Sequence, residues 1–295
     1  MDLPTLIKVI ALALLQGITE LFPISSLGHT VIIPGLLGWG NLIKSPTFLP
    51  LVVALHLGTA AALLTFFWRD WTVLIRAFFR TFKAGSLDAD PKGHTVWLVI
   101  IGTLPAGLIG MFFEAPIKDL FFSAAVPVIP AAFLAVNGLV LLVGEWLRRR
   151  GEPAALDRVK QEHSFRTLDD LSFREAFLVG IAQAAALIPG ISRSGITMVA
   201  GMGARLSHEE SARFSFLLAT PLIAGAGLLE IPRLFSDPHM LLYALIGAVI
   251  AGLAAYLSVK FLMRYFQVGR LTPFAYYCLG AGTLAFVLLQ FRLVP

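Results

Sequence analysis

Chemically reactive side chains are concentrated in one short stretch, QGITELFPISSLGH (residues 16–29), within a region that is otherwise apolar. Serine is a weak nucleophile that needs a neighbouring base. His29 follows Ser26 by three positions and can reach it in a turn or a helix, and histidine exchanges protons near neutral pH. We therefore predict Ser26 as a nucleophile and His29 as its base. The structural alternative is that Ser25 and Ser26 cap a helix.

The same stretch offers oxygen ligands for a metal ion. Gln16 and Glu20 are four positions apart and so share one face of a helix. Carboxylate and amide oxygens are ligands that hard divalent cations prefer. We predict that Gln16 and Glu20 hold Mg²⁺ or Ca²⁺ and that Glu20 also takes part in catalysis. The alternative is that Glu20 is a carboxylate at a helix end, exposed at the membrane interface.

A second stretch, PGISRSGIT (residues 189–197), is typical of an anion site. Arg193 has no acidic residue near it in sequence between Glu175 and Glu209. A guanidinium presents a planar fork of donors that suits phosphate, and a helix that starts after the proline adds its positive end. The alternative is a salt bridge from Arg193 to Glu20, which would also join the two stretches. The predicted phosphate-binding residues are Gln16, Ser25, Ser192, Arg193, Ser194 and Thr197.

These stretches are embedded in a very apolar chain. Of its 295 residues, 57% are hydrophobic and 14% are charged, whereas a soluble domain is about one-quarter charged. A helix needs roughly 20 apolar residues to span a bilayer. The sequence therefore predicts an all-α polytopic membrane protein with six transmembrane helices. Their predicted ranges are residues 46–68, 95–113, 120–144, 214–229, 240–259 and 271–291.

Two further apolar regions, residues 3–43 and 176–204, contain the reactive stretches and are interrupted by proline and glycine. These residues interrupt helices and free backbone groups. Non-helical backbone at membrane depth is tolerated only where it is buried in protein or lines a wet cavity. We therefore predict two re-entrant helical hairpins, each with its reactive stretch near the tip.

The two broken regions resemble each other, which indicates an internal duplication. A first repeat of one hairpin and three spans is predicted over residues 1–150, a linker over 151–174, and a second repeat over 175–295. The alternative is a chance match of small residues. The residues that correspond at a constant offset of 167 are Gln16, Ser25, Gly28 and Thr30 with Gln183, Ser192, Gly195 and Thr197.

The basic residues give an independent indication of topology, because lysine and arginine are enriched on the cytoplasmic side of membrane proteins. They cluster after the first, third and fifth predicted spans. This distribution predicts that both chain ends lie outside and that the two hairpins enter from opposite sides. The repeats are then inverted, an architecture whose sites form where broken helices meet near the bilayer midplane. Since membrane orientation accounts for these charges, we expect no nucleic-acid partner.

The two reactive stretches resemble the signature motifs of the undecaprenyl-diphosphate phosphatase family, also called the bacitracin-resistance protein family. The similarity extends over essentially the whole chain and includes FWRDW (residues 67–71) and RFSFLLA (residues 213–219). The resemblance implies an integral membrane enzyme that removes the terminal phosphate of undecaprenyl diphosphate, which yields a carrier lipid for cell-wall synthesis. It also implies a divalent cation and a site open to the outer, periplasmic side of the bacterial cytoplasmic (inner) membrane.

By this resemblance, the family's motif residues fall on Glu20, Ser25, Ser26, His29 and Arg193. The family motif often begins with a second glutamate, whereas this chain has Gln16 at that position. An amide still offers an oxygen ligand, but one negative charge is lost. We therefore expect a weaker affinity for the cation than two carboxylates would give.

Two functional alternatives stay open at this point. Water activated by His29 can attack phosphorus directly, in place of Ser26. A polyprenyl-phosphate transporter or flippase also uses inverted repeats with broken helices, although it needs no serine–histidine pair. The oligomeric state is open as well, including a homodimer. His56, in the first predicted span, either faces the site or packs within the bundle.

Overall fold

The computed structural model describes residues 3–39, 45, 48–122, 127–151, 165–234, 238–291 and 293. Within this part of the chain the protein is helical, with one isolated bridge between Arg166 and Leu206. Most of the predicted linker, residues 152–164, lies outside the described residues. The described α-helices are α1 Leu3–Thr19, α2 Ser26–Leu36, α3 Phe48–Phe66, α4 Trp68–Ala84, α5 Gly93–Phe122, α6 Val128–Gly151, α7 Phe173–Ala184, α8 Arg193–Gly203, α9 His208–Leu234, α10 Pro238–Tyr265 and α11 Thr272–Gln290.

Six of the described helices, α3, α5, α6, α9, α10 and α11, are long and apolar enough to cross a membrane. The prediction of an all-α protein with six candidate spans is therefore confirmed. Two predicted starts were wrong. The third span begins at Val128 rather than at 120, because residues 120–122 still belong to α5. Pro127 and Pro130 lie at the start of α6, where a missing N–H leaves no hydrogen bond unmade.

The fourth span begins at His208, six positions before its predicted start. Glu209 and Glu210 lie in the first turn of α9, where negative charge is favoured by the positive end of the helix dipole. The predicted span was chosen for its low charge, so it leaves out the charged first turn of the helix. Arg213 on the next turn is paired with Asp70 at the start of α4.

Helix α4 was not predicted, because its regularly spaced basic residues interrupt every apolar run. It is amphipathic, and its buried positions, Leu74, Ala77 and Thr81, lie on one face. Trp97 of α5 donates a hydrogen bond from Nε1 to Thr81 Oγ1 at 3.1 Å. Gly85 ends the helix with a left-handed φ of 63°, which glycine adopts without the strain of a Cβ atom.

The reactive stretches lie in two breaks between short helices, at residues 20–25 between α1 and α2 and at 185–192 between α7 and α8. The two breaks meet in the interior. A Cβ atom added to Gly28 would lie 3.0 Å from the Gly190 Cα atom, so the absence of a side chain at Gly28 permits this close approach. Gly190 itself has a φ of 106°, and a Cβ atom there would lie 2.4 Å from the Pro130 carbonyl oxygen on α6. Helix α1 packs against α10, α7 against α5, and α6 against α8. These contacts place both breaks inside the helical bundle.

Candidate active site

The Glu20 carboxylate lies at the centre of a buried polar cluster. It follows α1 directly and is 7% exposed. Arg193 Nη2 donates to its Oε1 at 2.8 Å, and Ser26 Oγ donates to its Oε2. Gln16, one helical turn earlier, donates from Nε2 to Oε2 at 3.1 Å. The structure thus brings together predicted site residues from both stretches, and the salt bridge considered as an alternative for Arg193 is present.

The turn before α2 gives the two serines different roles. Ser25 Oγ accepts a hydrogen bond from the Gly28 N–H at 3.2 Å, so Ser25 caps the helix. Its φ of 68° lies in the left-handed region, which costs a non-glycine residue about 1–3 kcal/mol. Ser26 is the first residue of α2, and its hydroxyl is directed at Glu20. Of the two, Ser26 therefore lies beside a carboxylate that can accept its proton.

His29 lies on the first turn of α2, but it is not the acceptor for Ser26. Its Nδ1 is 2.7 Å from the Ser25 carbonyl oxygen, and its Nε2 is 2.9 Å from the Tyr277 hydroxyl. A carbonyl oxygen only accepts, so Nδ1 carries the proton and Nε2 accepts from Tyr277. The single Ser26 hydroxyl proton goes to Glu20. The geometry thus favours Glu20, rather than His29, as the base for Ser26.

Arg193 is the first residue of α8, and its side chain is 12% exposed. Besides the ion pair with Glu20, its Nη1 lies 3.5 Å from the Ser215 carbonyl oxygen. Ser192 caps the same helix by accepting from the Gly195 N–H at 3.1 Å. The guanidinium is therefore held at a capped helix N-terminus, where the dipole favours an anion.

The remaining hydroxyl groups of the second stretch bond to backbone. Ser194 Oγ donates to the Phe22 carbonyl oxygen at 3.1 Å, which links the two breaks directly. Thr197 Oγ1 donates to the Arg193 carbonyl oxygen, one turn earlier in α8, at 2.7 Å. Both side chains are fully buried. In this structure they hold the shape of the second break, while Arg193 reaches the Glu20 cluster.

His56 on α3 completes the cluster from a third direction. Its Nε2 is 3.4 Å from Glu20 Oε2, and its Nδ1 is 2.8 Å from the Val52 carbonyl oxygen. Both ring nitrogens thus face oxygen acceptors, which suits a ring that carries both protons. When His56 is protonated, it and Arg193 place two positive charges beside one carboxylate. Such a surplus of positive charge is suited to an anionic ligand.

Part of the cluster suits a divalent cation. Gln16 Oε1 is buried and has no hydrogen-bond partner within the described part of the chain. An amide oxygen and a carboxylate are ligands that a hard cation prefers, although in this structure the Gln16 amide faces Glu20 with its Nε2. Among the described residues, no three His, Cys, Asp or Glu side chains are grouped closely enough to hold a metal. A cation bound at Gln16 and Glu20 would therefore need most of its ligands from other sources.

Comparison with known proteins extends these observations to the whole chain. The sequence model for the family described as bacitracin resistance protein BacA matches residues 9–284. The chain belongs to this family. It is similar to undecaprenyl-diphosphatase 2 of Burkholderia thailandensis, with 47% identity over 96% of this chain and 97% of that protein. It is 46% identical to undecaprenyl-diphosphatase 1 of Burkholderia pseudomallei strain 1106a, over 96% of this chain and 97% of that protein.

A more distant relative of this BacA family member, undecaprenyl-diphosphatase 2 of Frankia alni, is 42% identical over 94% of this chain and 95% of that protein. The relatives thus match almost end to end. Together with the six apolar helices, membership of the BacA family identifies the chain as a multi-pass membrane protein.

Three residues that build the site lie outside the two BacA signature stretches. His56 could be noticed in the sequence as a polar residue within an apolar run, but its orientation was open. Tyr277 on α11 and Asn137 on α6 were missed. A single tyrosine or asparagine in an apolar span is not part of a recognisable sequence motif. These two side chains reach the site only because α6 and α11 pack on the breaks.

Proposed function

We propose that this chain is a membrane undecaprenyl-diphosphatase, which hydrolyses undecaprenyl diphosphate to undecaprenyl phosphate and inorganic phosphate. The product is the carrier lipid that cell-wall synthesis reuses. One observation carries the proposal: a serine hydroxyl, a carboxylate and a guanidinium, drawn from two distant stretches, meet in one buried cluster. A nucleophile, its base and an anion clamp are the groups that phosphoryl transfer requires.

Arg193 and the N-terminal ends of α2 and α8 bind the diphosphate. Both helices start at the cluster, each with a serine cap, so two positive helix ends support the same anion. Arg193 exchanges part of its contact with Glu20 for phosphate oxygens when the lipid binds. Neutralising the charge on the transferred phosphoryl group is the main catalytic device in such reactions.

Ser26 is the nucleophile. Its Oγ forms a bond to the terminal phosphorus while the bond from that phosphorus to the bridging oxygen breaks, and Glu20 takes the hydroxyl proton. Undecaprenyl phosphate leaves with the bridging oxygen. Water then attacks the phosphoserine phosphorus, the bond from phosphorus to Ser26 Oγ breaks, and inorganic phosphate leaves. The proton held by Glu20 returns to Oγ and restores the Ser26 hydroxyl. His29, bonded to the Ser25 carbonyl oxygen and to Tyr277, fixes the turn that presents Ser26.

A divalent cation, Mg²⁺ or Ca²⁺, would be held by Glu20 and the Gln16 amide oxygen, and when bound it would neutralise charge on the diphosphate. The unpartnered Gln16 Oε1 supports this assignment. Because Gln16 stands where the family motif often has glutamate, one carboxylate would hold the cation, and phosphate oxygens would supply further ligands.

The site belongs to an inverted repeat in which α1–α2 and α7–α8 are re-entrant hairpins of the cytoplasmic membrane. At the repeat offset of 167, Ser26 corresponds to Arg193. Each is the first residue of an 11-residue helix that follows a capping serine. Helix α1 packs on α10, and α7 packs on α5. Since α1 corresponds to α7 and α5 to α10 in the two repeats, these are the equivalent contacts that a two-fold relation between the halves would produce. Helices of 11–17 residues are also short for a bilayer.

The repeats then cover residues 1–150 and 175–295, joined by the segment 151–174 on the cytoplasmic side. Basic residues after the first, third and fifth spans support this orientation. The first hairpin then enters from the periplasmic side, and the resemblance to the family implies that the site opens to that face, where the diphosphate lipid would be received.

The deciding experiment uses purified protein in detergent micelles with undecaprenyl diphosphate and Mg²⁺. We expect inorganic phosphate to be released in a protein-dependent way. A micelle has no second compartment, so a transporter or flippase would release none. Absence of phosphate release by folded protein, together with lipid translocation in sealed vesicles, would overturn the proposal in favour of a carrier.

A further inference from the structure

Asn137 on α6 connects the two helix breaks. It is fully buried, with 0% exposure. Its Nδ2 donates to the Pro23 carbonyl oxygen at 3.0 Å, and its Oδ1 accepts from the Ser192 N–H at 2.9 Å. Nδ2 also lies 3.4 Å from the Cys278 sulfur on α11. One side chain thus bonds to the backbone of both reactive stretches, although it belongs to neither.

Both backbone groups need such a partner. Pro23 and Ser192 lie where the helices are interrupted, so their backbone groups lack the partners that a continuous helix would provide. Asn137 supplies the hydrogen-bond donor for the Pro23 carbonyl and the acceptor for the Ser192 N–H. A buried backbone group without a partner is costly, and at membrane depth bulk water does not replace it. Asparagine carries one acceptor and one donor at the same distance from its backbone. Aspartate lacks the N–H, leucine has neither group, and glutamine is longer by a methylene.

The two bonded atoms lie next to the reacting groups. Ser192 is the residue directly before Arg193, and Pro23 precedes Ser26 by three positions within the same turn. The spacing between Ser26 and Arg193 is therefore tied to the Asn137 side chain. Ser194 of α8 makes a parallel link to the Phe22 carbonyl oxygen at 3.1 Å. Adjacent carbonyl groups of the first break are thus both bonded, one to Ser194 beside the second break and the other to Asn137, which itself bonds to Ser192.

We propose that Asn137 is a positioning residue for phosphoryl transfer, holding the two breaks in register so that Ser26 and Arg193 act on the same diphosphate. This inference rests on the proposed function. Asn137 touches no reacting atom, and its effect passes through the backbone of Pro23 and Ser192. A displacement of reacting groups by about 1 Å lowers turnover by roughly 100-fold, while most of the contacts that bind substrate stay in place.

The test compares Asn137→Leu, similar in size but without polar atoms, with Thr220→Val as a matched control. Thr220 is buried on α9 and bonds only to the Phe216 carbonyl oxygen of its own helix among the contacts described for its side chain. We expect Asn137→Leu to lower kcat by roughly 100-fold, with KM within about threefold of wild type. Thr220→Val should keep the wild-type kcat. Asn137→Asp, which keeps the acceptor for Ser192 but sets an oxygen against the Pro23 carbonyl, should also lose kcat.

Peptide-level hydrogen exchange on the same purified proteins gives a readout that does not depend on turnover. In Asn137→Leu we expect faster exchange in the peptides that cover both breaks, residues 20–28 and 188–196, with unchanged protection elsewhere. Wild-type kcat in folded Asn137→Leu, or unchanged exchange in both peptides, would overturn the inference. Failure of the proposed function is distinct, because then the wild-type protein itself releases no phosphate. If Asn137→Leu does not fold, the kcat and exchange of Asn137→Asp decide the question.

Discussion

Arg193 Nη2 lies 2.8 Å from Glu20 Oε1, although 173 positions of sequence separate the two residues. The pair is buried on both sides, with 12% and 6% of the side chains exposed. A buried ion pair contributes little net stability, but removing one partner leaves the other charge uncompensated. On the proposed function, the pair is the resting form of the site, in which Glu20 holds the guanidinium until phosphate replaces it.

The first prediction concerns this pair. Glu20→Gln should lower phosphate release by at least about 1,000-fold, because Ser26 loses its proton acceptor and Arg193 its counter-charge. Arg193→Lys should lose most activity too, since an ammonium lacks the planar fork that binds phosphate oxygens. Turnover of undecaprenyl diphosphate by purified, monodisperse variants measures both. An active Glu20→Gln protein would rule out the carboxylate as the base.

The two neighbouring serines should respond differently to substitution. Ser26→Ala removes the nucleophile and should abolish turnover, with little change in melting temperature. Ser25→Ala removes the cap of α2, so we expect a loss of about 1 kcal/mol in stability and a smaller, partial loss of turnover. Thermal unfolding and phosphate release on the same samples separate the two. Substantial turnover by Ser26→Ala would instead support direct attack by water.

Much of this site could be predicted because polar residues in apolar runs are costly and hence informative. Glu20, Ser26 and Arg193 were identified in this way, and the structure brings them together. The pairing of Ser26 was not predictable from spacing. The spacing favours His29, three positions away, but the turn at residues 20–25 brings Glu20, six positions away, to the hydroxyl.

The transmembrane helices could likewise be predicted from the sequence, but the predicted ends of some of them were wrong. Hydropathy predicts the six spans, but two of them start at other residues than predicted. The first turn of α9 is charged, and the start of α6 is marked by prolines. Asn137 could not be predicted at all. Its role depends on two backbone groups from segments that lie more than fifty positions away on either side in sequence, and a lone asparagine in an apolar helix carries no sign of them.

A pH-dependent contribution to stability is expected at the start of α7, outside the candidate spans. Arg166 bonds to Glu175 through both terminal nitrogens, at 2.6 and 3.0 Å. The hydrogen bonds from Arg166 lower the pKa of Glu175 to about 2. Burial of the carboxyl opposes this shift, and hydrogen bonds from the backbone and side chain of Ser172 add to it. Because the pKa in the folded protein is below its ordinary value of 4.5, the contribution is complete above that pH and is lost as pH falls toward 2.

Glu175→Gln should therefore lower the melting temperature near neutral pH, and the difference from wild type should shrink as the solution is acidified below the ordinary carboxyl range. Arg174→Gln, at an exposed neighbouring position, serves as the control and should leave the melting temperature unchanged. Thermal unfolding in detergent across this pH range gives the measurement. A difference that persists undiminished at the acid end would show that the charge of Glu175 is not its source.

Gln16→Glu should strengthen the dependence on a divalent cation. In the wild type the Gln16 amide donates to Glu20 at 3.1 Å; a second carboxylate on the same helix face would instead repel Glu20 unless a cation lies between them. We expect the Mg²⁺ concentration for half-maximal activity to fall by about tenfold and activity in chelator to fall below that of wild type. Titration calorimetry with Mg²⁺ provides the binding constant independently of turnover. Equal cation affinity in both proteins would place the cation away from Gln16. The charge of the diphosphate would then be neutralised near this residue by Arg193, His56 and the two helix ends.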